Sequence, residues 1–272
     1  MRKSHACAFR LAALLLALAG PAAAQDAAIV RLETADDARG WDAVGKLMLG
    51  DRGFCTGALI EPQLVLTAAH CLYDTETGLR MPPGEIRFYA GWRKGRAAAY
   101  RLVGRAVIHP DYRFAALDKL DRVTADLALL ELTQPIRLPS LVPFQTGAVP
   151  VPGDLVGVVS YAQDRAEVPS IQEVCEVLAG RPETLVLSCS VDFGASGAPV
   201  FTVSEGVARI VSVISAKAVV DGRDVALAVP LAIPLAQLRA ALAESRPAGQ
   251  GGGSGIRVLS SGQGGGAKFL RP

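Results

Sequence analysis

The segment Cys55–Cys71, CTGALIEPQLVLTAAHC, is the most informative stretch of this sequence. Its runs CTGALI and QLVLT are apolar and β-rich, which is typical of two short strands. His70 comes directly after the second run, and Cys71 can form a disulfide back to Cys55 in the first. An imidazole held from both sides is placed rigidly, as a general base must be. Taken alone, however, such a histidine is more often a structural residue.

The pattern around this segment predicts an all-β protein. From Val44 to Val229 the chain consists of short β-rich runs that are broken by Gly, Pro and Asp, at spacings near those of a sandwich or barrel. The first long helical period comes at Pro234–Glu244, where Leu235, Leu238 and Leu242 share one face. We therefore expect β-structure followed by a C-terminal helix.

The composition is that of a globular chain. Half of the 272 residues are apolar, and 28 Lys and Arg against 26 Asp and Glu give a formal net charge of +2. This balance excludes a disordered polyampholyte. With no basic excess and 6% aromatic residues, nothing in the composition supports nucleic-acid binding.

Residues 1–24 are typical of a secretory signal peptide. Arg2 and Lys3 precede the apolar run Leu11–Ala19, and Ala22–Ala24 supplies the small residues of a cleavage site. The run is too short to span a bilayer, which takes about 20 apolar residues. We therefore predict export to the periplasm or the extracellular space, without stable membrane insertion. The alternative is an uncleaved anchor or a buried helix.

The cysteines that remain after signal removal suggest two local disulfides, since paired cysteines in an exported chain are expected to be oxidised. The pairs are Cys55 with Cys71 and Cys175 with Cys189, separated by 16 and 14 residues. No C-x-x-C motif occurs, and only two histidines remain after the signal. We therefore expect no metal and no cofactor.

Two further segments contain residue types that acyl-transfer chemistry uses. In GASGAP, glycines flank Ser196, so that a tight turn can bring backbone N–H groups to one point, as an oxyanion hole requires. In DLALLEL, Asp126 opens an apolar strand, where a carboxylate must be hydrogen-bonded and can orient an imidazole. Each segment by itself is more often a simple turn or a strand cap.

Together and in this order, the segments TAAHC, DLALLEL and GASGAP resemble the chymotrypsin-like (trypsin-like) serine peptidase family. The resemblance extends from about Trp41 to Arg246 at the level of motif order, and TAAHC is its most specific element. Cys189, seven residues before Ser196, is similar to bacterial members related to glutamyl endopeptidases. Ala195 departs from the pattern, because many animal members have an aspartate immediately before the serine.

The resemblance implies two antiparallel six-stranded β-barrels with a C-terminal helix and a site in the cleft between the barrels. The predicted divisions are a signal peptide (1–24), an N-terminal segment (25–40), the first barrel (41–138), the second barrel (139–232), the helix (233–246) and a flexible Gly-rich tail (247–272).

By the same resemblance, Ser196 is the nucleophile, His70 is the base and then the acid, and Asp126 fixes the tautomer of His70. The backbone N–H groups of Gly194 and Ser196 form the oxyanion hole. His109, in the turn IHPDY, is expected to be structural.

By the same resemblance, three residues are expected at the substrate pocket: Ser190 at its base, Ser215, and Lys217 just past the strand IVSVIS. Since no buried carboxylate is expected there, we predict cleavage after small or medium uncharged residues, with acidic residues second, rather than after Arg or Lys.

The function implied is that of a secreted, monomeric serine endopeptidase acting on proteins or peptides. The alternative is an inactive protease fold that serves as a binding module, although all three triad residues are present. An esterase of the α/β-hydrolase type would have the order Ser, Asp, His, which is not the order here.

Overall fold

The computed structural model describes residues 27–116 and 118–245. The predicted signal peptide (1–24) and Gly-rich tail (247–272) lie outside these residues.

The first barrel is a closed ring of six antiparallel strands in the order β2-β3-β4-β7-β6-β5. Its interior is apolar, with Leu47, Leu59 and Phe88 fully buried. The strands are β2 (Val44–Leu49), β3 (Phe54–Glu61), β4 (Leu64–Thr67), β5 (Ile86–Ala90), β6 (Ala99–Ile108) and β7 (Ala128–Leu132).

The second barrel closes because its first strand pairs with two neighbours, β10 and β12. The ring runs β9-β10-β11-β14-β13-β12. Two short strands extend it, β1 (Val30–Arg31) on β10 and β8 (Gln145–Thr146) parallel to β13. The ring strands are β9 (Leu155–Ser160), β10 (Ser170–Arg181), β11 (Thr184–Leu187), β12 (Pro199–Ser204), β13 (Val207–Val220) and β14 (Arg223–Pro230).

Helix α2 (Ala232–Glu244) completes the predicted architecture. Leu235, Leu238 and Leu242 are buried, as their spacing predicted. Pro234 lies in the first turn, where its missing N–H costs no helical hydrogen bond. The helix packs against β6 and β7. The prediction of two six-stranded barrels and a C-terminal helix is therefore confirmed.

Two local features differ from the sequence-based expectation. Strand β13 continues to Val220, so Lys217 lies within a strand and not just past one. The pairing of β13 with β14 continues to Val220, which lies opposite Arg223, and supports this extension. A short helix, α1 (Lys119–Val123), was not predicted; Asp118 caps it by accepting a hydrogen bond from Leu120 N.

Both predicted disulfides are present. Cys55–Cys71 has a Cα–Cα distance of 6.3 Å and joins β3 to the turn that contains His70. Cys175–Cys189 has a Cα–Cα distance of 5.1 Å and joins β10 to the segment after β11. The first bond therefore fixes the backbone next to the candidate base.

No helix in residues 27–116 and 118–245 is long and apolar enough to cross a membrane.

Candidate active site

His70 lies just after β4, in a single 3-10 turn (Ala69–Leu72). Its backbone N donates to Asp126 Oδ1 at 2.8 Å, and its side-chain Nδ1 is 2.6 Å from Asp126 Oδ2. The side chain retains 29% of its exposure, whereas that of Asp126 retains 2%. The carboxylate therefore holds both the main chain and the ring of the histidine.

A third hydrogen bond to Asp126 comes from the second barrel. Ser215, in β13, donates its hydroxyl to Asp126 Oδ2 at 2.5 Å. A buried carboxylate is costly unless it is hydrogen-bonded, and here three donors satisfy it. Ser215 was expected at the substrate pocket, and its bond to Asp126 was not predicted; the available signal was a hydroxyl inside the apolar run IVSVIS.

Opposing effects act on the pKa of His70. Burial by itself lowers this pKa, because it disfavours the charged imidazolium. The charge of Asp126 and its hydrogen bond act in the other direction, and the net result is a pKa raised above the usual value. The pair therefore favours a proton on the imidazole.

Ser196 is partly exposed in a turn that packs against the first barrel. Gly194 and Gly197 have φ values of 94° and 79°, which favour glycine. A Cβ at Gly197 would lie 2.1 Å from Thr67 Oγ1 and 2.3 Å from Thr56 O, so any other residue would clash. This close approach places the serine turn against the ends of β3 and β4, the latter leading to His70.

Among residues 194–197, two backbone N–H groups donate hydrogen bonds within the described chain and two do not. Ala195 N donates to Asp192 O at 2.9 Å, and Gly197 N donates to Ile214 O at 2.8 Å. Among the hydrogen bonds of the described chain, none uses the N–H of Gly194 or of Ser196. These are the two donors expected to form an oxyanion hole.

Two cavities share one wall at the site. A cavity of about 280 Å³ is lined in part by Ser196, and one of about 660 Å³ is lined in part by His70 and Asp126. The β13 segment 215–217 lines both. The structure thus places His70 and Asp126 at one cavity and Ser196 at the adjoining one, with the β13 segment 215–217 as their common wall.

Not all of the residues expected at the substrate pocket line these cavities. Lys217 lines both cavities, and its Nζ is 3.3 Å from Asp224 Oδ2. Ser190 is exposed and is not among the residues that line the cavity beside Ser196. Its N–H donates instead to Gln172 Oε1 at 2.8 Å, which ties it to β10. The structure therefore does not place Ser190 at the base of that cavity.

The other histidine of the described residues, His109, packs inside the protein. His109 is 3% exposed, and its Nε2 is 2.8 Å from Gln237 Oε1 on α2. Asp111 N donates to its Nδ1 at 3.2 Å. Both ring nitrogens therefore have partners far from the serine turn in sequence.

One group of potential metal ligands overlaps the site. Ligand atoms of Cys55, His70 and Cys71 lie within 4.8 Å of one another. Because the two cysteine sulfurs form a disulfide, they have no thiolate to offer a metal.

Comparison with known proteins agrees with this geometry. A mouse protein named serine protease 28 is 35% identical over 82 residues, which is 29% of this chain and 26% of that protein. A trypsin from Phaedon cochleariae is 38% identical over 89 residues, 31% of this chain and 30% of the relative. The chain thus matches less than a third of the length of these curated relatives.

A solved structure of a Glu endopeptidase shares the fold. It superimposes with a TM-score of 0.66 at 17% sequence identity, over 80% of this chain and 98% of that one. The model of the trypsin-like peptidase domain matches residues 55–208, which is more than half of the chain and includes His70, Asp126 and Ser196. The chain therefore belongs to the trypsin-like peptidase domain family.

Proposed function

We propose that this protein is a serine endopeptidase that hydrolyses peptide bonds through an acyl-enzyme. The observation that carries the proposal is the bonded pair of His70 and Asp126, at a cavity that shares a wall with the one beside Ser196, in a chain of this family. Its substrates are proteins or peptides, and the chemistry needs no cofactor.

In the proposed acylation, Ser196 Oγ attacks the carbonyl carbon of the scissile bond while its proton passes to His70 Nε2. Asp126 stabilises the imidazolium through the bond to Nδ1. The N–H groups of Gly194 and Ser196 bind the developing oxyanion. The imidazolium then protonates the leaving amine, and the C–N bond breaks.

Deacylation repeats these steps with water. His70 removes a proton from water, the hydroxide attacks the acyl carbon, and the proton returns to Ser196 Oγ as the new carboxyl product leaves. One water is consumed for each bond cleaved, and the enzyme is regenerated.

The raised pKa of His70 predicts the pH dependence. The base must be neutral, so kcat/KM should rise with pH as the free enzyme loses this proton. Since Asp126 raises the pKa above its usual value of about 6.5, the midpoint should lie above that value. A kcat/KM profile from pH 5 to 9 measures it, and a midpoint clearly below 6.5 would contradict the assignment.

The cavity beside Ser196 supports a preference for small or medium uncharged residues before the cleaved bond. Its volume is about 280 Å³, and Val191, Phe193 and Ile214 provide apolar lining. Asp192 and Lys217 contribute opposite charges, so neither sign of substrate charge is favoured strongly. Asp192 is exposed, and no buried carboxylate lines the cavity, so an Arg or Lys side chain that entered it would find no buried counter-charge.

Cleavage of a diverse peptide mixture, with every cut bond mapped by mass spectrometry, tests both the activity and this preference. We expect cuts mainly after small or medium uncharged residues, some after acidic residues, and none with Ser196→Ala. Lys217→Met should reduce the acidic fraction by removing the cation. Cleavage confined to Arg and Lys bonds would contradict the pocket, and an intact mixture would contradict the peptidase.

We also propose that the protein acts as a monomer outside the cytoplasm, in the periplasm or beyond the cell. The predicted signal peptide supports export, and the two disulfides fit an oxidising compartment.

A further inference from the structure

The serine turn needs support from elsewhere in the fold. Its two left-handed glycines can adopt many conformations, yet the N–H groups of Gly194 and Ser196 have to stay available for a ligand. Ala195, between them, is completely buried and has no polar side-chain atom. The restraint must therefore come from other groups that bond to the turn.

Thr56, in β3, makes two hydrogen bonds to the turn. Its hydroxyl donates to Gly194 O at 2.8 Å and accepts from Tyr161 N at 3.1 Å. Its backbone N donates to Ser196 O at 2.8 Å. The residue is fully buried, so water cannot replace these bonds. One side chain thus joins the first barrel, the serine turn and the end of β9.

The peptide unit that contains the Gly194 N–H is held from the same point. That unit is planar and trans, so fixing its carbonyl, Phe193 O, also fixes the direction of the N–H. Phe193 O accepts from Gln163 N at 2.8 Å. Gln163 lies two residues after Tyr161, whose N–H bonds to the Thr56 hydroxyl. Thr56 therefore bonds directly to the peptide unit on one side of the Gly194 Cα, and it is connected to the unit on the other side through Tyr161 and Gln163.

We propose that Thr56 is a positioning residue whose hydroxyl keeps the oxyanion hole formed. Ala195, the residue before Ser196, has no charged side chain that could do so. This inference rests on the proposed peptidase function. Without the hydroxyl, Tyr161 N would be buried without a partner and Gly194 O would lose the hydrogen bond that the Thr56 hydroxyl donates. Rotation of the peptide units at Gly194 would then relieve that penalty, and it would turn the Gly194 N–H away from the oxyanion.

The test compares Thr56→Val, which has nearly the same shape but no hydroxyl, with Thr56→Ser, which keeps the hydroxyl. Tyr161→Phe is the matched control, because it removes a different buried hydroxyl, one that donates to Trp92 O at 2.9 Å and makes no bond to the turn. For each variant, kcat and KM on one peptide, inhibition by a peptide boronic acid and the thermal midpoint are measured.

A shift of an oxyanion donor by about 1 Å can cost about 100-fold. We therefore expect Thr56→Val to lower kcat by about 10- to 100-fold with little change in KM, and to weaken boronate inhibition by a similar factor. Thr56→Ser should stay within about threefold of the unmodified protein. Tyr161→Phe should lose thermal stability without this loss of kcat.

Three results would overturn the inference: unchanged kcat in a folded Thr56→Val, an equal loss of kcat in Tyr161→Phe, or no rescue by Thr56→Ser. If Thr56→Val does not fold, Thr56→Ser against Thr56→Ala decides by the same criteria. If the unmodified protein cleaves no peptide, the proposed function fails instead.

Discussion

Ser196→Ala and His70→Ala should each lower kcat by about 10⁶-fold. Bond formation and proton transfer occur in the same step, so losing either group removes the whole acylation route. The double variant should be little worse than either single variant, because the residues act as one unit. Initial rates on one peptide, with the protein purified away from host proteases, measure this.

The unfolding temperature of Ser196→Ala shows whether the variant is folded. Ser196 is partly exposed, and its side-chain hydroxyl makes no hydrogen bond among those described, so Ser196→Ala should unfold at the same temperature as the unmodified protein. A folded Ser196→Ala that keeps near-normal peptidase activity would eliminate Ser196 as the nucleophile.

Asp126→Asn should lower kcat by about 10⁴-fold. Three donors converge on this carboxylate: His70 N, His70 Nδ1 and the Ser215 hydroxyl. An amide has one oxygen and one NH₂, so at least one donor would face another donor. An NH₂ at the Oδ2 position would favour the tautomer with the proton on His70 Nε2, which cannot accept a proton from Ser196.

The pH profile gives this prediction a second readout. Removing the Asp126 charge removes a cause of the raised His70 pKa, so the midpoint of kcat/KM should fall in Asp126→Asn. Ser215→Ala is the matched control, since it deletes one of the three hydrogen bonds but keeps the carboxylate. A loss in Ser215→Ala as large as in Asp126→Asn, with the same pH shift, would contradict a role for the charge.

Local patterns predicted the β-structure and the C-terminal helix, whereas the two six-stranded barrels were implied by the resemblance to the chymotrypsin-like family. The β-rich runs and the leucine spacing of α2 reflect periods of 2 and 3.6 residues, and both are readable within a dozen positions. The disulfides were also predictable, since each links cysteines 16 or fewer residues apart. The resemblance in motif order predicted a site with His70, Asp126 and Ser196; the structure bonds His70 to Asp126 and places Ser196 at the adjoining cavity.

The hydroxyl contacts could not be predicted, because they join distant segments. Thr56 and Gly194 are 138 positions apart, and Ser215 and Asp126 are 89 apart. Ser190 shows a related difficulty: the resemblance suggested the pocket base, but Ser190 is not among the residues that line the cavity beside Ser196, and its N–H donates to the Gln172 side chain. Side-chain direction after a strand depends on the partner strand, which the sequence does not specify.

The proposed function requires Ser196 to be an activated nucleophile, and covalent labelling with a fluorophosphonate measures this property, since only an activated serine reacts quickly. We expect one label per molecule, mapped to Ser196, with no labelling of Ser196→Ala and much slower labelling of His70→Ala. A folded protein that stays unlabelled, or is labelled equally after Ser196→Ala, would contradict this role of Ser196. The first of these results would favour a binding module built on a protease fold.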